Sequence, residues 1–245
     1  MGSPCLTEVF QTLHTAFGPQ HWWPAETPEE VVIGALLTQN TAWSNVEKAI
    51  ANLRCAQLLE LEKIAGLEPE TLEELIRPSG YFRQKSRRLK NLAAAITAAG
   101  GLEQLARLST PKLRQWLLER NGVGPETADS ILLYAFERPV FVIDAYTLRI
   151  CRRHNWLAQD AGYAEAQARF HRELKKDAAL FNEYHALLVR TGKDYCRPRR
   201  PACRECPLGR FTPHPGSRSE ENPRKTRQCD RRVRVRLTEE RLVEI

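Results

Sequence analysis

Features that would place a chain in a membrane or outside the cell are scarce in this sequence of 245 residues. No apolar run approaches the roughly 18 to 20 residues of a membrane-spanning helix, and the first residues lack the basic and apolar segments of a secretory signal. Aromatic residues make up only 8%, but 42% of the residues are hydrophobic, which suffices for one or two packed domains and excludes disorder throughout. We therefore expect a soluble, non-secreted protein.

Cysteines are too unevenly placed for a disulfide framework. Their number, seven, is odd, and Cys196, Cys203 and Cys206 stand close together while most of the others lie far apart. This clustering favours metal binding over disulfide cross-linking.

Strand patterns are also lacking. The one β-branched run, residues 140–143, is too short to predict a sheet, whereas apolar residues between 29 and 133 recur every three or four positions, as on one face of a helix. A helix start is visible at Thr27-Pro28, where a capping residue precedes a proline and two acids. We predict an all-α fold of about ten short helices.

Positive charge exceeds negative charge by seven, from 37 Lys and Arg against 30 Asp and Glu, with a pI of about 9.2. This balance favours an anionic partner such as nucleic acid. Charged residues are frequent and apolar ones scarce in residues 212–245. We expect this stretch to be a basic, disordered tail.

Two glycines and a proline connect two predicted helices at Gly122-Val123-Gly124-Pro125. Glycine permits positive φ angles, and the unpaired N–H groups at the start of the next helix can bind a phosphate. Taken alone, the segment also fits an ordinary tight turn between packed helices. Twenty residues after Gly124, an apolar run ends at Asp144, a single acid that opens another helical pattern.

The combination of Gly122, Gly124 and Asp144 resembles the endonuclease III superfamily of helix-hairpin-helix DNA glycosylases. The resemblance covers about residues 25–211 and implies two helical domains. Residues 27–137 would form a bundle with the hairpin, and residues 1–26 with 138–211 a second domain with the cysteine loop. DNA would lie across the cleft between them and contact the hairpin residues Gly122, Val123, Gly124 and Thr127.

Asp144 is the catalytic residue that the resemblance implies. Enzymes of this superfamily flip a damaged nucleotide out of the duplex and break its glycosidic bond. The bond breaks through an oxocarbenium-like state, which a nearby carboxylate stabilises. Since Asp144 opens a helix, the alternative is a purely structural role as its N-cap.

Glu126 occupies the position at which members that also nick the strand carry a lysine. A carboxylate cannot form the Schiff base of that lyase reaction, so the resemblance implies a monofunctional glycosylase that uses water. An exposed acid in the first turn of a helix is the alternative role of Glu126. Two other functions stay open: a bifunctional glycosylase and abasic-site lyase on oxidised pyrimidines, with the poorly placed Lys85 as its lysine, and a non-catalytic DNA-binding module.

Gln39 and three tryptophans extend the resemblance to the substrate pocket. A glutamine near this position fills the space left by the flipped base, while Trp22, Trp23 and Trp43 suit the branch that removes alkylated purines such as 3-methyladenine. An N-alkylated purine carries positive charge, so indole faces can bind it by stacking and cation–π attraction. The alternatives are core packing for the tryptophans and a helix-terminal polar role for Gln39.

A basic stretch at residues 80–90 places five Lys and Arg beside two aromatic residues. In this superfamily such a stretch contacts DNA phosphates, and we assign that role to Lys85. A solvated helix face is the alternative.

Cys196, Cys203 and Cys206 are separated by six and two residues, which resembles the loop that binds a [4Fe–4S] cluster in this superfamily. The fourth cysteine of the loop would fall at Thr212, and Cys229 is the only later thiol. Cys229 is therefore the candidate fourth ligand. The alternatives are a cluster with three protein ligands, no cluster, or zinc.

The resemblance also implies a partner and a location. The partner is double-stranded DNA containing damaged bases, bound by a monomer that does not touch a membrane. The expected location is the cytoplasm, in association with the nucleoid if the source is bacterial.

Overall fold

The computed structural model describes residues 4–211. This part of the chain contains twelve α-helices, two short 3-10 helices and no strand, which confirms the all-α prediction. The α-helices are α1 Leu6–Phe17, α2 Pro28–Leu37, α3 Trp43–Cys55, α4 Leu61–Gly66, α5 Pro69–Ile76, α6 Phe82–Ala98, α7 Gly101–Leu105, α8 Thr110–Leu118, α9 Pro125–Tyr134, α10 Ala145–Arg153, α11 Tyr163–Glu173 and α12 Ala178–Asp194. The 3-10 helices are Arg77–Ser79 and Pro207–Phe211. The predicted tail at 212–245 lies outside the described residues.

Helix α2 shows how the local sequence builds the core. Its start is the predicted one: the Thr27 hydroxyl accepts a hydrogen bond from the N–H of Glu30 at 3.2 Å, and Pro28 is the first helical residue. Every residue from Glu30 to Leu37 is buried. The helix therefore runs through the interior. Gln39 follows its C-terminal end, at the surface that carries the candidate active site described below.

Buried apolar side chains form two clusters. The first, core 1, draws on α2 to α9 and includes Ile131 and Leu132. The second, core 2, draws on α1, α10, α11 and α12 and includes Leu133. Helix α9 thus contributes to both cores. The domain limits given above, 27–137 and 1–26 with 138–211, stay a prediction.

Asp129 on α9 ties the two cores together. Its side chain is fully buried, and Arg114 of α8 donates to it twice, at 2.6 and 3.0 Å. From α11, the Tyr163 hydroxyl and the Gln167 amide each donate to the same carboxylate at 2.7 Å. A buried charge is tolerated only when it is paired and hydrogen-bonded, so this carboxylate fixes α8, α9 and α11 relative to one another.

Within residues 4–211, no helix combines the length and the apolar character needed to cross a membrane.

Candidate active site

Residues next to both cores line an open cleft of about 1130 Å³. Ten of the predicted site residues meet there, although they come from four separate stretches of the chain. They are Trp22, Trp23, Gln39, Trp43, Gly122, Val123, Gly124, Glu126, Thr127 and Asp144. The structure does not bring Lys85 or the three clustered cysteines to this cleft.

Asp144 stands at the start of α10 and uses its two carboxylate oxygens differently. Oδ1 accepts a hydrogen bond from the N–H of Thr147 at 2.7 Å and so caps the helix. Oδ2 lies 3.6 Å from Nε2 of His185. Burial alone raises the pKa of Asp144, but His185 and the N–H of Thr147 outweigh burial and hold the pKa below its ordinary value. Asp144 therefore caps α10 through Oδ1, and its carboxylate remains ionised at the cleft.

His185 and Tyr134 form a buried polar chain behind Asp144 that sequence analysis missed. Nδ1 of His185 lies 2.5 Å from the Tyr134 hydroxyl, and the histidine side chain is only 7% exposed. Burial and the charge of Asp144 raise the pKa of Tyr134 well above its ordinary value, so the phenol stays neutral. No sequence signal pointed to either residue, because 41 residues separate His185 from Asp144.

Glu126 lies in the first turn of α9 on the wall of the cleft. The surrounding protein and the charge of Asp144 raise the pKa of its carboxyl, an effect that His185 opposes. The acid predicted to replace a lysine thus faces the same space as Asp144.

The hairpin joins α8 to α9 and depends on Gly122. This residue has a φ of +83°, and a Cβ atom there would lie 2.3 Å from Cδ of Arg88, so neither the backbone nor the space admits a side chain. Arg88 packs against the glycine and lines the cleft. Gly124 precedes Pro125, the first residue of α9, and both are exposed at the end of the helix that carries unpaired N–H groups.

Gln39 joins the hairpin to the end of α2 through its amide. Nε2 donates to the Gly122 carbonyl at 2.8 Å and to the Thr127 hydroxyl at 2.9 Å, and Oε1 accepts from Arg88 at 3.1 Å. Thr127 and Val123 line the cleft but are largely buried. The roles of these residues toward DNA stay predictions.

The three predicted tryptophans form one aromatic cluster with Tyr134. Ring centroids are 4.9 Å apart for Trp23 and Trp43, 5.5 Å for Trp22 and Trp43, and 5.0 Å for Trp23 and Tyr134. The tryptophans are half-buried and line the cleft, and Trp23 and Trp43 also pack against core 1. Lys193, which sequence analysis did not select, lines the cleft too, with Nζ 5.8 Å from the Trp22 ring centroid.

Lys85 corrects a sequence prediction. Its side chain is buried, and Nζ donates to the carbonyls of Leu37 at 2.8 Å and Ser79 at 2.7 Å. Burial lowers its pKa to about 8. Lys85 therefore stabilises the end of α2 instead of contacting phosphate. The helical period contained this information, because Lys85 lies on the same face of α6 as Leu89, Leu92 and Ile96.

The three clustered cysteines line a separate cavity of about 190 Å³, together with Arg153 and His154. A guanidinium N–H of Arg153 donates to Sγ of Cys196 at 3.4 Å. Across residues 4–211, no three His, Cys, Asp or Glu side chains are gathered tightly around one point as a single metal ion requires. The proposed ligand Cys229 lies outside the described residues.

The helices of residues 4–211, with a glycine hairpin and a helix-capping aspartate that meet in one cleft, have the architecture of a helix-hairpin-helix DNA repair protein. A sequence profile of the HhH-GPD superfamily of base excision DNA repair proteins matches residues 33–176, more than half of the chain. The chain belongs to this superfamily and is a DNA glycosylase.

Individual relatives agree with this assignment. The chain is 46% identical over 209 residues to MJ1434 of Methanocaldococcus jannaschii, named provisionally as a DNA repair glycosylase, with 84% of this chain and 94% of that protein covered. Endonuclease III of Thermotoga maritima is 29% identical over 73% of this chain and 79% of its own length. The structure of the H. pylori 3-methyladenine DNA glycosylase MagIII bound to 1,N6-ethenoadenine is similar with a TM-score of 0.65 and 30% identity, covering 76% of this chain and 96% of MagIII.

Proposed function

We propose that this DNA glycosylase is monofunctional and hydrolyses the bond between deoxyribose and an alkylated purine, with Asp144 as the catalytic residue. One observation carries the proposal: the cluster of Trp22, Trp23 and Trp43 lines the same cleft as the ionised carboxylate of Asp144. The similarity to a 3-methyladenine glycosylase supports it. Action as a monomer and a cytoplasmic location stay predictions.

The chemistry of an N-alkylated purine fits this set of residues. The base carries a positive charge, which the faces of the tryptophans attract. When the bond from C1′ to the base nitrogen breaks, the electron pair leaves with the base, which becomes neutral without an added proton. The sugar is left with positive charge, and the Asp144 carboxylate stabilises it. Water adds to C1′, and Asp144 can accept the proton that the water loses.

A bifunctional glycosylase and lyase is the second candidate, and Lys193 is the observation that favours it. A lyase needs an amine that can reach C1′ and form an imine. Lys193 lines the cleft, whereas Lys85 is buried and engaged by two carbonyls. Glu126 favours hydrolysis, because the position assigned to the lyase lysine carries an acid.

The first experiment compares the two reactions directly. The full chain is incubated with duplex DNA methylated by dimethyl sulfate and with a duplex containing an oxidised pyrimidine. We expect release of 3-methyladenine, with strand breaks only after hot alkali and no protein–DNA adduct after borohydride reduction. Direct nicking with a trapped adduct, lost in Lys193→Gln, would establish the bifunctional reaction instead. No base release from either duplex would refute the proposed activity.

We also propose that Cys196, Cys203 and Cys206 bind a [4Fe–4S] cluster. Three thiols on one cavity beside a cationic guanidinium fit thiolate ligation, and endonuclease III relatives support it. When bound, the cluster would crosslink the chain after α12 and leave the arginines around the loop facing outward toward phosphate.

Cysteine substitution tests the cluster independently of base release. We expect Cys196→Ser to lose most bound iron and sulfide and the broad visible absorption of an iron–sulfur protein. Cys55→Ser is the matched control, since Cys55 is exposed and does not line this cavity. Equal iron in both variants would contradict the proposal, and zinc measured in the same samples would identify the alternative metal.

A further inference from the structure

The oxygen of Asp144 that does not cap α10 has a buried polar side chain behind it. This neighbour is His185, whose Nε2 lies 3.6 Å from Oδ2 and has no hydrogen-bond partner within residues 4–211. The distance is slightly longer than a hydrogen bond. Hydrogen bonds in unliganded active sites are often long and shorten when substrate binds. A buried polar nitrogen aimed at the carboxylate calls for a functional explanation.

The contact between Tyr134 and Nδ1 of His185 bears on which ring nitrogen carries a proton, because the donor in this hydrogen bond depends on the tautomer of the imidazole. The phenol is neutral and lies 2.5 Å from Nδ1. When Tyr134 donates to Nδ1, the neutral imidazole must carry its proton on Nε2, the nitrogen closest to Asp144. The chain of donors then runs from Tyr134 through His185 to Oδ2 of Asp144. In this tautomer Nε2 of His185 donates and the Asp144 carboxylate accepts.

We propose that His185 is a positioning residue that holds Oδ2 of Asp144 in place for glycosidic bond cleavage. The inference rests on the proposed catalytic role of Asp144. The hairpin and Asp144 come from α8, α9 and α10. His185 adds a further helix, α12, to the catalytic site. A histidine beside an aspartate can orient it and stabilise its charge without touching substrate.

The other charged and titratable groups around His185 are consistent with this role. Tyr134 and Glu126 approach from α9, Asp144 approaches from the start of α10, and Lys193 lines the cleft from α12 itself. Glu126 has a raised pKa, so it is the acid of this group that takes up a proton more readily as pH falls. Asp144 is held ionised by His185 and by the N–H of Thr147.

Loss of His185 should change the pH profile as well as the rate. Without the imidazole, burial is opposed only by the helix cap, so the pKa of Asp144 rises and its charge is lost at a higher pH. We expect His185→Leu to lower the single-turnover rate of base release about 10- to 100-fold. The acid limb of its pH–rate profile should move to higher pH, with little change in duplex affinity. His185→Gln, which retains an N–H donor, should recover much of the rate.

His171 provides the matched control. It is a histidine of α11 that packs against Phe181, and its Nε2 accepts a hydrogen bond from the N–H of Phe141 at 2.9 Å. His171→Leu should lower thermal stability without moving the acid limb. A purely structural role for His185 predicts the same result for His185→Leu.

The assay measures release of 3-methyladenine from methylated duplex by excess full-length enzyme, with folding checked by circular dichroism. If Asp144→Asn stays active, the proposed role of Asp144 fails. If Asp144→Asn is inactive while folded His185→Leu matches the parent in rate and pH profile, only the inference about His185 fails. If His185→Leu does not fold, the pH profile of folded His185→Gln decides: an acid limb shifted to higher pH than that of the parent supports the inference, because the amide replaces the imidazole only in part, and an acid limb and a rate identical to those of the parent refute it.

Discussion

Replacing Asp144 with asparagine should lower the single-turnover rate of base release about 10²- to 10⁴-fold while the protein remains folded and still binds duplex DNA. Asparagine caps helices as well as aspartate does, so the hydrogen bond from the N–H of Thr147 can survive the change. What disappears is the negative charge on Oδ2. The amide can neither stabilise positive charge on the sugar nor take a proton from water.

Asp177 offers a matched control for this substitution. It caps α12, and its Oδ1 accepts from the N–H of Leu180 at 3.1 Å, the same arrangement that Asp144 has on α10. Asp177 does not line the cleft. Asp177→Asn should therefore leave the rate unchanged. Equal rates for the Asp144 variant and the parent would show that Asp144 acts only as the N-cap of α10, the alternative role given in the sequence analysis.

The largest effect on stability is expected for Asp129→Ala. The substitution leaves Arg114 beside an empty site and removes the acceptor of Tyr163 and Gln167. Breaking a buried ion pair by removing one partner costs about 3 to 5 kcal/mol. For a chain of this size we expect the midpoint of thermal unfolding to fall by roughly 6 to 20 °C.

Glu60→Ala is the control for this effect. Glu60 meets Lys63 at 2.6 Å, the same distance as Arg114 and Asp129, but both side chains of this pair are about half exposed. Solvent screens such a pair, so its loss should cost no more than about 1 kcal/mol. Differential scanning calorimetry compares the variants, and similar midpoints for both would show that the Asp129 network does not hold the two cores together.

Local sequence patterns predicted the helices, and the family resemblance predicted ten of the residues that line the cleft. The apolar period of three and four, the Thr27 cap and the glycine hairpin all act over short distances, so they could be read without a structure. Lys85 shows where residue type alone led to a wrong prediction. Its positive charge suggested a contact with DNA phosphate, although its position on α6 placed it on the same face as buried leucines.

Long-range polar pairing could not be predicted. The contact of His185 with Asp144, the bonds of Tyr163 and Gln167 to Asp129, and the presence of Lys193 in the cleft all join residues more than thirty positions apart. These contacts arise only when helices that are distant in the chain pack together, α12 beside α10 for His185 and Asp144, and α11 beside α9 for the bonds to Asp129. No periodicity along the chain encodes them.

The Asp129 network also bears on how a lesion is found. Because one buried carboxylate links three helices, we expect the width of the cleft to change little when DNA binds, so that closing it contributes little energy. The free-energy cost of flipping a nucleotide then depends mainly on the duplex. Weakly stacked or mispaired steps of the duplex bend and open at the lowest cost. We therefore expect discrimination to begin in the mechanics of the DNA, with base shape and charge tested only after the nucleotide has left the stack.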